Sequence, residues 1–175
     1  VIAWLQEKLI QQNEKATGEN SDYLRDFAKR TRSGFWKFGL TMPLVTHKKT
    51  VSKDLWHLAR IAATQTEDCG PCLQTSVGFA VQDKVDAGLI KAVLGQDGAS
   101  PLSPVQEAAV ALGQFVANGA PISNEQRDLL EKEAGPSGVA ELVATSAAVR
   151  LFPAMKRGLG YSKSCSLVKV EVDAA

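Results

Sequence analysis

The sequence predicts an all-α helical bundle of about seven or eight helices. Apolar residues recur at helical spacing along most of the chain. The gaps between these runs hold helix caps and stops rather than hairpin turns. Only one stretch, Ser166 to Val172, alternates with period two, and it lies near the end.

The elements follow in order. Ile2, Leu5, Leu9 and Ile10 share one helical face between Val1 and about Lys15, and Gly18-Glu19-Asn20 stops that helix. Ser21 or Asp22 caps a short helix through Arg30. The aromatic stretch Ser33 to Phe38, before Met42-Pro43, packs on the core as helix or loop. Ser52 or Asp54 opens a helix through Leu55, Leu58, Ile61 and Ala62 to about Thr66. The next begins at Cys69 and runs to about Asp83, with Pro71 where a first turn tolerates a missing N–H. Asp86 starts a helix that Gly95 stops. Ser103-Pro104-Val105-Gln106 reads as an N-cap, an N1 proline and a capping-box glutamine. Ser123 caps a further helix that Gly135-Pro136 ends. A last helix runs from about Gly138 to Met155 with a break near Pro153. Residues 1–50 form an N-terminal helical arm, 51–160 the core and 161–175 a tail.

Composition narrows the function. A chain of 175 residues buries about 70% of its unfolded surface and needs no disulfide staples. With 20 basic and 19 acidic residues, no net field steers it to nucleic acid. Arg25, Lys29, Arg30, Arg32 and Lys37 form a local basic cluster that reads as a solvated helix face. No apolar run approaches ~18 residues, so no membrane span is expected. The chain begins at Val1 without a methionine, which leaves targeting open. Its three cysteines suit a reducing compartment, and a cytoplasmic location is expected.

Glu67-Asp68-Cys69-Gly70-Pro71-Cys72 carries the chemistry. Two thiols at this spacing can close into a disulfide and reopen. The positive end of a helix favours the thiolate, which is the reactive form. A zinc site would need two more ligands, and His47, His57 and Cys165 offer no second pair at ligand spacing. No metal or bound cofactor is therefore expected. By helix-terminus logic alone, Cys69 is the more acidic thiol. Cys165 reads as an incidental thiol. Glu67 and Asp68 cap the new helix or, in the case of Glu67, act as a general base.

Cys-Gly-Pro-Cys is also the active-site sequence of thioredoxin, but there a hydrophobic strand delivers it, and here helices flank it. The stretch from His57 to about Gly119 instead resembles the alkylhydroperoxidase D-like branch of the carboxymuconolactone decarboxylase family. The shared parts are a helix leading into Cys69 and Cys72, a short helix from Ala87 to Leu94, and the Ser-Pro-opened helix Leu102 to Ala109. Glu141 to Thr145 and Phe152 to Gly160 resemble the family's closing helix. The resemblance covers roughly residues 50 to 160. It departs at two positions. The family's glutamate, twelve residues before the first cysteine, is His57 here, and its histidine, four after the second, is Ser76.

The resemblance implies a dithiol oxidoreductase that reduces hydroperoxides. Cys72 would meet the peroxide, Cys69 would resolve the sulfenic acid, and an external dithiol would reduce the disulfide. It also implies a homo-oligomer. His57 would then supply the titrating base, and Ser76 would hold a water or relay a proton. Two alternatives remain open: a decarboxylase or lactone/acid enzyme on the same fold, and a non-catalytic helical oligomer or binding protein with a structural cysteine pair.

Overall fold

The structure, a computed structural model, describes residues 2–161 and 168–170. Among these residues there is no strand. The helices are α1 (Ile2–Thr17), α2 (Asp22–Arg30), α3 (Arg32–Gly39), α4 (Met42–Val45), α5 (Lys53–Gln65), α6 (Gly70–Gln82), α7 (Ala87–Leu94), α8 (Pro104–Asn118), α9 (Asn124–Val149) and α10 (Leu151–Gly158). Helix α4 is a single turn, and α10 follows α9 after Arg150 alone. Setting α4 aside and joining α9 to α10 leaves eight, an all-α bundle as the sequence predicts.

The caps explain most of the boundaries. Ser52, Asp86, Ser103 and Ser123 each accept an N–H from the first turn that follows. Ser103–Gln106 and Ser123–Gln126 close full capping boxes. Helix α9 is kinked where the sequence has Gly135-Pro136. Gly135 takes φ 68°, ψ 170°, a conformation open to glycine and costly for other residues. The break expected near Pro153 falls at Arg150, and Pro153 sits buried in the first turn of α10.

Helix α5 is the axis of the bundle. All ten residues from Leu55 to Thr64 are buried, as the packing of α6, α7, α8 and α9 around it requires. One core cluster joins Leu55, Trp56 and Ala59 to Ala108, Leu112, Leu130 and Leu142. A second joins Ile61 to Val77, Ala80 and Ile90, with Val168 and Val170 packed on its rim. The tail shows the expected alternation there: Val168 and Val170 are half-buried and Lys169 is exposed. Gln74 holds the Lys169 backbone through both of its amide atoms, at 2.9 and 3.0 Å. The rest of the extended segment expected over Ser166 to Val172, and Cys165, lie outside the described residues.

The N-terminal arm has its own cluster of Ile10, Tyr23, Leu24 and Phe35, which extends to Met155 and Leu159. Its aromatic stretch packs as expected, with Phe38 edge-on to Phe152 at 5.6 Å between centroids. The basic cluster is partly neutralised. Arg25 pairs with Glu7, Glu14 and Asp22, and Arg30 with Asp26.

Helices α9 and α10 together, Asn124–Gly158, are long and apolar enough by length and composition to cross a membrane. No such segment is expected from the sequence. In this fold Leu130, Leu142, Thr145, Ser146 and Val149 bury part of that apolar surface inside the bundle.

Buried Glu141 ties α9 to the loop before α5. Its carboxylate accepts the N–H groups of Lys49, Thr50 and Val51 and the Thr50 hydroxyl at 3.0–3.1 Å. Burial alone would raise its pKa. The hydrogen bonds outweigh burial and hold it at about 2, against an ordinary 4.5.

Two predictions follow from this packing. A Cβ on Gly113 would lie 2.2 Å from the Ala59 carbonyl oxygen, so α5 and α8 touch backbone to backbone. Gly113→Ala should destabilise the protein by about 1–3 kcal/mol in urea unfolding, whereas Gly158→Ala, which meets nothing, should not. Glu141 has a folded pKa below its unfolded one, so the unfolded chain binds the proton more tightly. The stability it contributes is complete above pH 4.5 and is lost as pH falls toward 2. Glu141→Gln should cost about 2 kcal/mol at pH 7. The gap between variant and wild type should shrink in unfolding curves taken at pH 3.

Candidate active site

The turn between α5 and α6 presents the cysteine pair. Cys69 is the N-cap of α6 and Pro71 occupies its first turn, as the sequence predicts. Cys69 and Cys72 are joined in a disulfide, with Cα atoms 5.3 Å apart. Both are buried, at 4% and 8% exposure. Asp68, just before the pair, takes φ 48°, which turns the chain sharply into the helix.

The two sulfurs face different spaces. Cys72 lines a cavity of about 180 Å³. One wall comes from the arm, through Tyr23, Met42 and Val45, and the other from the core, through Arg60, Ser76 and Phe79. Cys69 lines a second cavity of about 170 Å³ with Asn20, Asp22, Lys156 and Tyr161. Tyr23 contributes to both. Its ring lies under the Lys156 ammonium at 5.2 Å, and burial raises its phenol pKa, so it stays neutral.

Ser76 joins the site. It is 1% exposed and stands one helical turn beyond Cys72 in the same cavity. The Thr64 hydroxyl donates to the Arg60 carbonyl at 2.8 Å. Ser76, 3.2 Å away, therefore donates its own proton to the Thr64 oxygen. The Ser76 oxygen keeps accepting capacity beside Cys72.

His57 does not join it, which corrects the expected relay. Its Nε2 lies 2.7 Å from Asp83 Oδ2. Asp83 caps the far end of α6, ~16 Å along the axis from Cys72. The reason is the antiparallel course of the two helices. A residue twelve positions before Cys69 lies as far down α5 as Asp83 lies down α6. His57 is 1% exposed, and its Nδ1 has no partner among the described residues. Burial lowers its pKa most, against a raising contribution from Asp83. It stands as a neutral imidazole donating from Nε2 to the carboxylate, which Lys48 also pairs.

Glu67 is near the pair in sequence but is committed elsewhere. It pairs with Arg150 Nε, and Arg157 Nη2 lies 2.6 Å from its other oxygen. Arg157 Nη1 also donates to the Glu67 carbonyl at 2.8 Å. Burial would raise its pKa, but the two guanidinium groups hold it below the ordinary range. A carboxylate so held is a poor base. It clamps the cysteine turn to α9 and α10, which corrects the general-base reading.

Sequence reasoning missed Arg60. It is 5% exposed and has no carboxylate partner among the described residues. Nη1 donates to the Val45 carbonyl at 3.0 Å, and Nε is buried without an acceptor among the described residues. The guanidinium lies 5.2 Å from the Trp56 ring centroid and 5.7 Å from that of Phe79. Desolvation lowers its pKa to about 10, so it stays charged at neutral pH. The available signal was a permanent cation inside a run from Leu55 to Ala63 that is apolar apart from it and His57.

The clamp and base readings of Glu67 separate in one variant. Glu67→Gln leaves two guanidinium groups short of a carboxylate and should cost about 1–3 kcal/mol in unfolding. Its thiol oxidation rate should stay near wild type, where loss of a general base would cost about 100-fold or more.

No model of a known protein family matches the chain, and neither a curated protein nor a solved structure is significantly similar to it.

Proposed function

We propose that this protein is a dithiol oxidoreductase of the alkylhydroperoxidase D-like type that reduces hydroperoxides through a Cys69/Cys72 disulfide cycle. The observation that carries this reading is the placement of the pair. The sulfurs lie within bonding reach at the start of α6, and each lines its own cavity. A permanently structural bond in a bundle of this size has no need of such spaces.

The cycle balances as follows. The Cys72 thiolate, favoured by the positive end of α6, attacks the terminal oxygen of the hydroperoxide. The O–O bond breaks, the alcohol leaves after taking a proton, and Cys72 becomes a sulfenic acid. The Cys69 thiol displaces water from it and the disulfide forms. An external dithiol then reduces the disulfide and is itself oxidised. Ser76 places an oxygen in the Cys72 cavity, where it can hold a water for these proton transfers. No bound cofactor takes part.

A homo-oligomer belongs to the same reading. Trp4, Leu5, Leu9, Leu40 and Leu44 leave large apolar side chains exposed on the arm, with Leu40 at 77%.

The test counts thiols. Reduced wild type should lose two of its three thiols on one equivalent of cumene hydroperoxide. Cys69→Ser should trap a dimedone-reactive sulfenic acid at Cys72, and Cys72→Ser should not react. His57→Gln should oxidise at the wild-type rate, since it pairs with Asp83 at the far end of α6. No thiol loss over a range of pH and peroxide concentration would overturn the redox reading in favour of a structural pair.

A further inference from the structure

Arg60 is hard to account for as a structural residue. A buried charge is expensive unless paired, and a buried guanidinium normally finds a carboxylate. Here one nitrogen meets a backbone carbonyl, and Nε meets no acceptor among the described residues. Nη2 likewise has no acceptor among the described residues. Nε is fully enclosed, so Nη2 is the nitrogen left to meet a ligand oxygen in the cavity that Arg60 lines. Trp56 and Phe79 flank the group and keep it planar against their faces. Nη2 therefore belongs to a rigid, largely desolvated cation.

The space around it selects the ligand. The cavity wall is largely apolar, from Tyr23, Met42, Val45, Phe79, Val149 and Phe152. Its other charged groups, Glu19 and Lys156, offset each other in sign. One uncompensated positive charge matches one negative charge. A phosphate, at nearly two charges, matches that balance less well. A short acyl chain with a single carboxylate meets both the charge and the apolar wall.

We infer that this cavity is a carboxylate-binding site in which Arg60 holds the acid group of a short acyl ligand beside Cys72. Carboxylate binding is independent of the redox reading. The further step, that the hydroperoxide reduced at Cys72 is an alkyl hydroperoxide whose chain carries a free carboxylate, rests on it.

The experiment uses octanoate, which carries no peroxide, and 1-octanol as its uncharged match. Calorimetry on the disulfide form of the wild type should show octanoate binding at least about 10-fold more tightly than octanol. Arg60→Met keeps length and apolar contact without the charge and should abolish that preference, while octanol binding persists if the cavity is intact. Arg60→Lys should recover part of the preference. If the arginine variants fail to fold, the wild-type comparison still decides. Equal affinity for the two ligands, or no binding of either, overturns the proposal. Octanoate binding without peroxide-driven thiol loss would leave the site standing and sink the redox reading. Thiol cycling without octanoate binding would do the reverse.

Discussion

The register of α5 against α6 is the constraint on which the site depends. Two contacts record it: Thr64 with Ser76 near the turn, and His57 with Asp83 at the far end. Both pairs are separated by about two turns along each helix, so the helices advance together without slippage. That register leaves Arg60 facing Phe79 midway between the contacts. It also puts the cysteine turn at one end and the histidine at the other. Close approach of Gly113 to Ala59 fixes α5 from its opposite side. The central helix has little freedom to rotate, and its polar residues point where the packing sends them.

The buried charges fall into two kinds. Glu141 and Glu67 are satisfied. Each holds a junction, one the loop before α5 and the other the turn after it, so the central helix is anchored at both ends by a carboxylate from or toward α9 and α10. Such bonds are worth most when several converge on one group. Arg60 and His57 are incompletely satisfied. His57 removes its cost by staying neutral, which an imidazole can do near physiological pH. A guanidinium cannot, and that asymmetry makes Arg60 the more informative of the two.

The fold was legible because its signals are local. Ser52, Ser103 and Ser123 each cap the turn that follows within three residues, and Gly95 and Gly135 mark a stop and a kink by their own backbone preference. Cys69 at the head of α6 was readable on the same grounds. The relay was not. The family resemblance placed His57 near the thiols, but only the antiparallel register shows which end of α6 it meets. The part played by Glu141 was equally hidden, since its partners are backbone N–H groups about 90 positions away that carry no residue identity. Arg60 stood in plain view as a cation in an apolar run. Its significance depends on partners it lacks, and a sequence does not display these.

The cavity beside Cys72 has one wall from the N-terminal arm and one from the core. It exists only while the arm is docked. Any molecule that fills it must therefore bind the docked form alone, and by mass action it adds to the free energy that holds the arm in place. Occupancy of the site and order in the first fifty residues are thermodynamically linked. A protease acting on the arm would read out ligand as surely as an assay at the sulfur.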